Sequence, residues 1–430
     1  MFILGLFIAL LLLILLGFPI YLVIGIVVIA GYFFTPDLVL TIVPQKIFTT
    51  LDSFSLLALP YFILTGELMV RGGLSKRLVA LAEKIVGHLR GGLGHASIIS
   101  CMIFANITGS ASASTSAIGS ILIEPMKEKG YKPGFSAALF ATSGIIGSII
   151  PPSMVMIVYG AMAGVSIGGL FLAGILPGIL IVIALMTTVY LHSFSDKFPE
   201  LRNTSNKFSI KSVIREIPRV WVALLAPVII LGGILGGIFT ATEAGIVACV
   251  YSFIVSVFIY KTVKLKDLTR ILLNAAITTT IVVSIIAIAG AFGWLLTYLD
   301  FNDLVLNTIL SITDNAVLTL IILLIIMLVL TMFVESLAIL IIMIPVITYI
   351  GNLYGYNPFY LGLAVIMATQ IGATTPPVAV GLFVATSIAK TDYQQTVKYS
   401  LPFILALLAI LILIIAIPEL STWIPEKFLD

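Results

Sequence analysis

The sequence contains few of the residues that soluble enzymes use for chemistry and for surface hydration. Of its 430 residues only 10% are charged, two are cysteines and three are histidines. A chain this poor in charge cannot cover a soluble domain with polar groups, and two cysteines do not make a disulfide framework. The net charge of +3 provides no general attraction for nucleic acid. A phosphate-binding loop of the GxxxxGK[ST] type is also missing, which argues against an ATP-driven pump unless a partner supplies the nucleotide site.

What the sequence has in abundance is long apolar stretches. Hydrophobic residues make up 60% of the chain, and the mean hydropathy is +1.23. Because backbone groups in lipid must be satisfied within the protein, such stretches indicate membrane helices. We therefore predict an all-α polytopic membrane protein. Ten spans are expected, near residues 2–16, 18–33, 53–70, 134–160, 168–191, 221–239, 242–260, 272–297, 358–388 and 399–417.

Two further apolar stretches are interrupted midway by polar residues. They lie at about 95–125 and 316–350, and we interpret both as re-entrant helical hairpins. The positive-inside rule supports this interpretation, because it leaves 20 of the 22 lysines and arginines on the cytoplasmic side, with Lys46 and Lys427 outside. Treating either hairpin as an ordinary span would break this agreement.

The sequence repeats itself at one constant offset, the separation between Gly130 and Gly355. The matched segments are GYKP from Gly130 with GYNP from Gly355, IGSIIPP from Ile146 with IGATTPP from Ile371, and LP from Leu176 with LP from Leu401. The halves 1–215 and 216–430 then each hold five spans and one hairpin, and the odd number of spans inverts the second half. Inverted-topology repeats are typical of secondary transporters, whose binding sites lie near the membrane midplane at broken helices.

The span after each hairpin contains a double proline at its middle. Because proline lacks an amide donor, Pro151-Pro152 and Pro376-Pro377 are expected to break their helices and to leave carbonyl oxygens unpaired. Unpaired carbonyls favour a cation, and opposed helix N-termini at the same depth favour an anion. A packing kink without a ligand is the alternative interpretation.

Small polar side chains are concentrated where the hairpins are expected to turn. The first turn contains NITGSASASTSAIGS from Asn106, whose oxygens can coordinate a hard cation such as Na⁺, although small residues also allow close helix packing. Glu335 in the second turn is a functional candidate because an acid at membrane depth is costly, with pairing or helix capping as the structural alternative. The candidate cation ligands are Asn106, Thr108, Ser110, Ser112, Gly147, Pro151, Glu335, Ser336, Gly372, Thr374 and Thr375, and the candidate substrate ligands are Ser114, Thr115, Ser148 and Thr369.

Several other features indicate structure rather than chemistry. Glu243 follows Thr240 at the spacing of a capping box, so we expect a helix cap there. The stretch 72–92 has a leucine-rich face opposite charged residues and predicts an interfacial helix. Cys101 and Cys249 lie in apolar segments and are interpreted as small hydrophobic residues. The histidines form no paired ligand motif, and an intramembrane enzyme would need a catalytic pair at membrane depth.

Several stretches in order resemble the large membrane subunit of the tripartite ATP-independent periplasmic (TRAP) transporters. They are LTGELMVRGGLSKRLV, GHLRGGLGH, IIPPSMVMIVYGAMAGVSIGGLFLAGILPG, GGIFTATEAG and TPPVAVGLFVATSIA, and the resemblance covers nearly the whole chain. It implies sodium-driven import of an organic acid anion across the bacterial inner membrane by an elevator movement. It also implies two partners, a small four-helix membrane subunit and a periplasmic substrate-binding protein, and no organic cofactor.

The resemblance further implies where the ions bind. The family's sodium sites lie at the hairpin turns and adjoining breaks, which here are 106–114 with 147–151, and 334–336 with 372–375. At least two sodium sites are expected, because a single ion only cancels the charge of a monoanion entering a negative cell. Many dicarboxylate-type members carry an acid in the first hairpin turn, whereas TGSASASTSAIG has none, so the sequence favours an acidic sugar such as sialic acid over a C4-dicarboxylate. A stand-alone sodium/anion carrier of the citrate or divalent-anion class, which needs no binding protein, is the alternative.

Overall fold

Helices make up most of the protein in the computed structural model, which describes residues 2–35, 38–202 and 208–429. The helices are α1 (Phe2–Leu15), α2 (Ile20–Phe34), α3 (Ile42–Leu51), α4 (Ala58–Arg71), α5 (Leu74–Val86), α6 (Gly92–Thr108), α7 (Ala111–Glu128), α8 (Pro133–Gly144), α9 (Ile146–Ile149), α10 (Met154–Ala163), α11 (Ile167–His192), α12 (Ile210–Leu235), α13 (Ala241–Ile254), α14 (Leu265–Tyr298), α15 (Phe301–Leu310), α16 (Ala316–Thr331), α17 (Ser336–Tyr354), α18 (Pro358–Gly372), α19 (Val380–Ala389), α20 (Tyr393–Ala416) and α21 (Glu419–Leu429). Turns of 3-10 helix at Phe54–Leu57 and Pro199–Arg202 and a π-helical extension of α13 at Val255–Ile259 add to these. Within the described ranges no strand is present, so the predicted all-α class is confirmed.

The lengths of the helices support a multi-pass membrane protein. Among the described residues, six helical segments are long and apolar enough to cross a bilayer, and eight are if each bent pair counts as one span. The spans predicted at 2–16, 18–33 and 358–388 instead fall on helices of 10 to 15 residues. At 1.5 Å per residue, each of these helices is shorter than the roughly 30 Å hydrocarbon core of a bilayer.

Each half of the chain contains a helical hairpin followed by a broken helix. Helices α6 and α7 meet at Gly109-Ser110, and α16 and α17 meet at residues 332–335. The next helix is interrupted at residues 150–153 in the first half, with a bend of 42° across the break, and at residues 373–379 in the second half. The predicted hairpins and breaks are therefore confirmed, and both double prolines lie within the breaks.

The length of α17 alone does not identify the second hairpin as re-entrant. Helix α17 has 19 residues and is by itself long and apolar enough to cross a membrane. Its N-terminal end nevertheless lies beside a helix break, because the backbone N–H of Ala379 donates to the carbonyl of Met332 at 3.2 Å. A helix that begins at the interruption of a neighbouring span begins inside the protein, as the arm of a hairpin does.

The sequence repeat is visible in the local geometry that starts each broken helix. Gly130 and Gly355 adopt φ angles of +87° and +65°, in the left-handed region that favours glycine. Pro133 and Pro358 follow as the first residues of α8 and α18, where proline's missing N–H leaves no helical hydrogen bond unmade. The same turn chemistry therefore starts the equivalent helix in both halves.

The helices pack in two groups, and each group draws on both halves of the sequence. In the first group, α14 packs against α2, α3 and α4, while α13 packs against α4 and α12. In the second group, α8 packs against α7, α19 and α20, and α11 packs against α20 and α21. We call these the framework group (α1–α5 and α12–α15) and the hairpin group (α6–α11 and α16–α21). The two groups contact each other mainly through α5 against α6 and α14 against α17. The predicted repeat boundary near residue 215 thus divides the sequence but does not separate two packed units.

Some helices differ from the predicted segments. The span predicted at 221–239 lies in α12, which begins at Ile210, ends at Leu235 and bends by 74° at Pro218. Its start is capped by Ser209, whose Oγ accepts from the Ser212 backbone N–H at 3.4 Å. Helices α3, α15 and α21 were not predicted, because their apolar residues are interspersed with polar ones and form no membrane-length run.

The structural interpretations of Glu243 and of Cys101 are confirmed. The helix predicted within 72–92 is present, and its position at the membrane interface stays a prediction. The Thr240 backbone N–H donates to Glu243 Oε2 at 2.8 Å, and the Glu243 backbone N–H donates to Thr240 Oγ1 at 3.2 Å, so the capping box forms. The stretch 72–92 contains helix α5, whose leucine-rich face is buried against α6 and α12. Cys101 is fully buried in the core.

Candidate functional site

The two hairpin turns and the two helix breaks line one cavity of about 240 Å³. Both halves of the chain contribute candidate ligands that were identified from the sequence. Those that line the cavity are Ser110, Ser112, Thr115, Ser148, Glu335, Ser336 and Thr374. The fold therefore brings together candidates that lie in opposite halves of the sequence.

Equivalent positions in the two halves of the sequence repeat line the cavity. Pairs of positions at the offset of the repeat that both face the cavity are Ser110 and Glu335, Ala111 and Ser336, Ser112 and Leu337, Ile145 and Gln370, Ser148 and Ala373, and Val155 and Val380. The backbone frame is thus shared by the two halves, while the side chains on it differ. The second half supplies the carboxylate and the amide, and the first half supplies hydroxyls.

Equivalent residues cap the second helix of each hairpin. Ser110 Oγ accepts from the backbone N–H of Ala113 at 3.4 Å, and Glu335 Oε2 accepts from the backbone N–H of Ala338 at 3.0 Å. Both caps satisfy a helix N-terminal N–H that has no partner within its helix. The capping role considered for Glu335 from the sequence is therefore present, and the half-buried carboxylate also faces the cavity.

Four helix N-termini border the cavity, which makes its backbone field favourable for an anion. The first residues of α7, α10, α17 and α19, namely Ala111, Met154, Ser336 and Val380, all line it. Each helix N-terminus acts as roughly half a positive charge, with N–H groups that can bind an anion directly. No lysine or arginine lines the cavity in the part of the chain that the structure describes. The positive field at the described lining therefore comes from the helix N-termini.

The first hairpin turn offers oxygen atoms suited to a hard cation. Asn106 Oδ1 is buried and has no hydrogen-bond partner, an arrangement that is costly unless another group satisfies the oxygen. Next along the turn, Thr108 Oγ1 and Ser114 Oγ lie 3.3 Å apart. Amide and hydroxyl oxygens are ligands for hard cations, and no group of three His, Cys, Asp or Glu side chains that could hold a metal occurs within the described residues.

Main-chain hydrogen bonds join each hairpin turn to the break beside it. The backbone N–H of Met154 donates to the carbonyl of Gly109 at 3.1 Å, and that of Ala379 donates to the carbonyl of Met332 at 3.2 Å. Met154 and Ala379 are themselves equivalent positions of the repeat. Ala379 has a φ angle of +52°, a left-handed conformation that is costly for an alanine and is held here by the surrounding contacts.

Glycine is required where each break meets its hairpin. A Cβ atom on Gly147 would lie 2.7 Å from the Ser110 carbonyl oxygen. A Cβ atom on Gly372 would lie 2.0 Å from Thr331 Oγ1 and 2.3 Å from the Leu328 carbonyl oxygen. The candidate role of these two glycines is therefore to allow the close approach of the hairpin backbone.

The remaining candidates lie beside the cavity and outside its lining. The Thr375 hydroxyl donates to the Ile371 carbonyl at 2.7 Å, and the Thr369 hydroxyl donates to the Ile366 carbonyl at 2.8 Å. These hydroxyls are therefore occupied by helix backbone in this conformation. Asn106, Thr108, Ser114 and Pro151 lie at the first hairpin turn and its break, and Gly147, Gly372, Thr369 and Thr375 lie at the broken helices.

Two polar lining residues were not identified from the sequence. Gln370 is buried, faces the cavity, and donates from Nε2 to Ser336 Oγ at 3.1 Å. An amide next to the candidate Thr369, directly before IGATTPP, was the signal that could have revealed it. Thr278 reaches the cavity from α14 of the framework group, and the run of three threonines at 278–280 in an otherwise apolar stretch was the signal that could have revealed it.

Comparisons with known proteins agree on the kind of protein that this chain is similar to. A family model described as "Tripartite ATP-independent periplasmic transporter, DctM component" matches residues 7–420. A putative TRAP transporter large permease protein of Haemophilus influenzae is 40% identical over 88% of this chain and 88% of its own length.

Relatives with named substrates are also similar along most of the chain. The C4-dicarboxylate TRAP transporter large permease protein of Pseudomonas aeruginosa is 36% identical over 91% of both chains. The sialic acid TRAP transporter large permease protein of Vibrio cholerae is 33% identical over 90% of this chain and 89% of its own. Among solved structures, the Alcanivorax borkumensis YdaH transporter has a similar fold, with a TM-score of 0.62, 15% identity and coverage of 91% of each chain.

Proposed function

Because this chain belongs to the DctM family of tripartite ATP-independent periplasmic (TRAP) transporters, as a large permease subunit, we propose that it imports an organic acid anion together with sodium ions. The chain is a membrane transporter subunit and not an enzyme. Family membership implies a small membrane subunit and a periplasmic binding protein as partners. We place the complex in the bacterial inner membrane, where the binding protein delivers the anion from the periplasmic side.

The observation that carries this proposal is the pairing of anion-binding and cation-binding groups around one cavity. Four helix N-termini attract the substrate carboxylate, and the hairpin turns and breaks supply oxygen ligands for sodium. Since the described lining contains no cationic side chain, bound sodium ions provide the remaining positive charge that the anion needs. Substrate and sodium then stabilise each other's binding, which is the basis of coupled transport.

Sodium is proposed to bind at both hairpin turns. In the first, Asn106 Oδ1 and Thr108 Oγ1 are the side-chain ligands, assisted by the backbone near Gly147. In the second, Glu335 and backbone carbonyls of the break after Gly372 take the equivalent place. Two ions make import of a monoanion electrically favourable, since each charge moved contributes about 2.3 kcal/mol per 100 mV.

The packing of the helices supports an elevator movement of the hairpin group against the framework group. The cavity is lined almost entirely by α7–α10, α17–α19 and the turns and breaks beside them, with Thr278 and Val282 of α14 as the framework's contribution. A substrate held mainly by one group of helices can be carried by a movement of that group as a unit. We propose that the hairpin group carries the loaded cavity past α14.

The substrate class is proposed from the first hairpin turn. The stretch TGSASASTSAIG carries no acid, which favours an acidic sugar such as sialic acid over a C4-dicarboxylate. Both kinds of acid are named among the substrates of similar permeases.

Uptake into proteoliposomes tests the function and its coupling. The permease is reconstituted with the small subunit and the binding protein, and uptake of radiolabelled C4-dicarboxylate, six-carbon sugar acid and sialic acid is measured. We expect uptake of one acid with external sodium and its loss when choline replaces sodium. Undiminished uptake in choline would overturn sodium coupling. Equal uptake by the permease without the binding protein would favour the stand-alone carrier instead.

A further inference from the structure

We propose that Gln370 is a positioning residue that sets sodium affinity at the second hairpin turn by acting through Ser336 on Glu335. The three side chains form a directed chain of hydrogen bonds. Gln370 Nε2 donates to Ser336 Oγ at 3.1 Å, and Ser336 Oγ in turn donates to Glu335 Oε1 at 3.4 Å. The inference deepens the proposed function, because it rests on Glu335 being a sodium ligand.

The direction of the chain gives Gln370 its effect. A serine hydroxyl has one proton, and when its oxygen accepts from an amide N–H that proton is available for another partner. Gln370 therefore leaves the Ser336 proton free to donate to Glu335. The other carboxylate oxygen, Oε2, is fixed by the Ala338 backbone N–H at 3.0 Å. With a donor on each oxygen, the carboxylate plane is held in one orientation at the edge of the cavity.

The chain also joins two separate pieces of the site. Gln370 lies near the C-terminal end of α18, just before the break, while Ser336 begins α17 of the hairpin. Gln370 is only 4% exposed, so its hydrogen bond is shielded from competing water. Without the hydrogen bond from Gln370 to Ser336, the Glu335 carboxylate would lose its connection to α18 and to the carbonyl ligands after Gly372. The hairpin side and the break side of the ion site would then no longer be held together.

The equivalent positions in the first half of the chain form no such chain of hydrogen bonds. The position that the repeat pairs with Gln370 is Ile145, which faces the same cavity and has no polar side-chain atom. Ala111 likewise takes the position equivalent to Ser336 and offers no hydroxyl. The two sodium sites therefore differ in how they are held, and a change at Gln370 should affect only one of them.

The experiment measures sodium binding by thermal stabilisation of the purified complex of the permease with its small subunit. Gln370→Met keeps the length of the side chain and removes its N–H groups, and Ser336→Ala removes the link to Glu335. The same substitution at the exposed Gln394, Gln394→Met, is the matched control. Losing one hydrogen bond of about 1–1.4 kcal/mol corresponds to a fivefold to tenfold rise in the sodium concentration for half-maximal stabilisation.

Three results are expected together. Gln370→Met raises the sodium concentration for half-maximal thermal stabilisation by about fivefold to tenfold, while Gln394→Met leaves it unchanged. The double variant with Ser336→Ala is no weaker than the weaker single variant, since both interrupt the same chain. At saturating sodium, the substrate concentration that gives half-maximal uptake stays within about twofold of the unmodified value for Gln370→Met.

Two outcomes would overturn the inference while leaving the proposed function in place. One is an unchanged sodium response in Gln370→Met when Glu335→Gln weakens it. The other is a change in substrate affinity or selectivity without a change in sodium affinity, which would make Gln370 a direct substrate contact. Absence of sodium stabilisation in the unmodified complex would instead overturn the proposed function itself, and this inference with it.

Discussion

Replacing Gly372 with alanine places a methyl group in the contact between the second hairpin and the broken helix. The new carbon would lie 2.0 Å from Thr331 Oγ1 and 2.3 Å from the Leu328 carbonyl oxygen. The threonine hydroxyl can rotate away, but the carbonyl belongs to the backbone of α16. To reach an ordinary contact of about 3.4 Å, the hairpin must move away from α18 by about 1 Å.

The size of the effect follows from the cost of overpacking. Inserting a carbon into a tightly packed contact typically costs about 1–3 kcal/mol. We expect the conformation that binds sodium to be the one in which the second hairpin packs against the break, so the cost falls on that conformation. Sodium affinity then drops by roughly five- to 150-fold. Gly372→Ala should therefore need far more sodium for half-maximal uptake, and its sodium-dependent thermal stabilisation should shift by the same factor.

Gly232→Ala is the control for the substitution itself. A Cβ atom there would meet nothing within 4 Å, and the residue lies within helix α12 of the framework group. Because alanine is the better helix former by up to about 1 kcal/mol, this variant should be as stable as the unmodified protein or slightly more so. If Gly372→Ala binds sodium and transports like the Gly232→Ala control, close packing of the second hairpin against the break is not needed for sodium binding, and the reasoning is refuted.

Two further predictions concern the framework and the core. Thr240→Ala removes the cap of α13 and should lower the stability of the protein by about 1 kcal/mol. We expect a lower melting temperature of the purified protein and an unchanged sodium affinity. An unchanged melting temperature would show that the capping box contributes nothing to stability. Cys101 is 0% exposed, so a polar maleimide should label it only after denaturation, and rapid labelling of the folded protein would contradict its placement in the core.

The broken helices and their glycines were predictable because the signals that specify them are local. A double proline interrupts a helix wherever it occurs, and the recurrence of Gly147 and Gly372 before such pairs marked both breaks. The cap formed by Thr240 and Glu243 is likewise contained within one short stretch of the chain. Features of this kind depend on neighbouring residues and need no knowledge of the rest of the fold.

Other features were not predictable because they depend on which helix faces which. The sequence indicated that Glu335 and the serine-rich turn lie at similar depth, but it did not indicate that Gln370 would meet Ser336 or that Thr278 would reach the cavity. Hydrophobic periodicity fails here, since a span buried by lipid and protein on all sides is apolar all round. The packing of α8 against α19 and α20 likewise joins parts of the chain that the repeat pattern assigns to different halves.

The bonds that join each turn to its break, from Met154 to Gly109 and from Ala379 to Met332, use only backbone atoms. These bonds do not depend on the chemistry of any side chain, so the residues that touch the cargo can change while the contact between turn and break persists. The same backbone contact can therefore serve permeases that carry chemically unlike acids. Selectivity can then be redesigned by substituting cavity-lining residues such as Ser112 or Leu337, while the contact between turn and break is left unchanged.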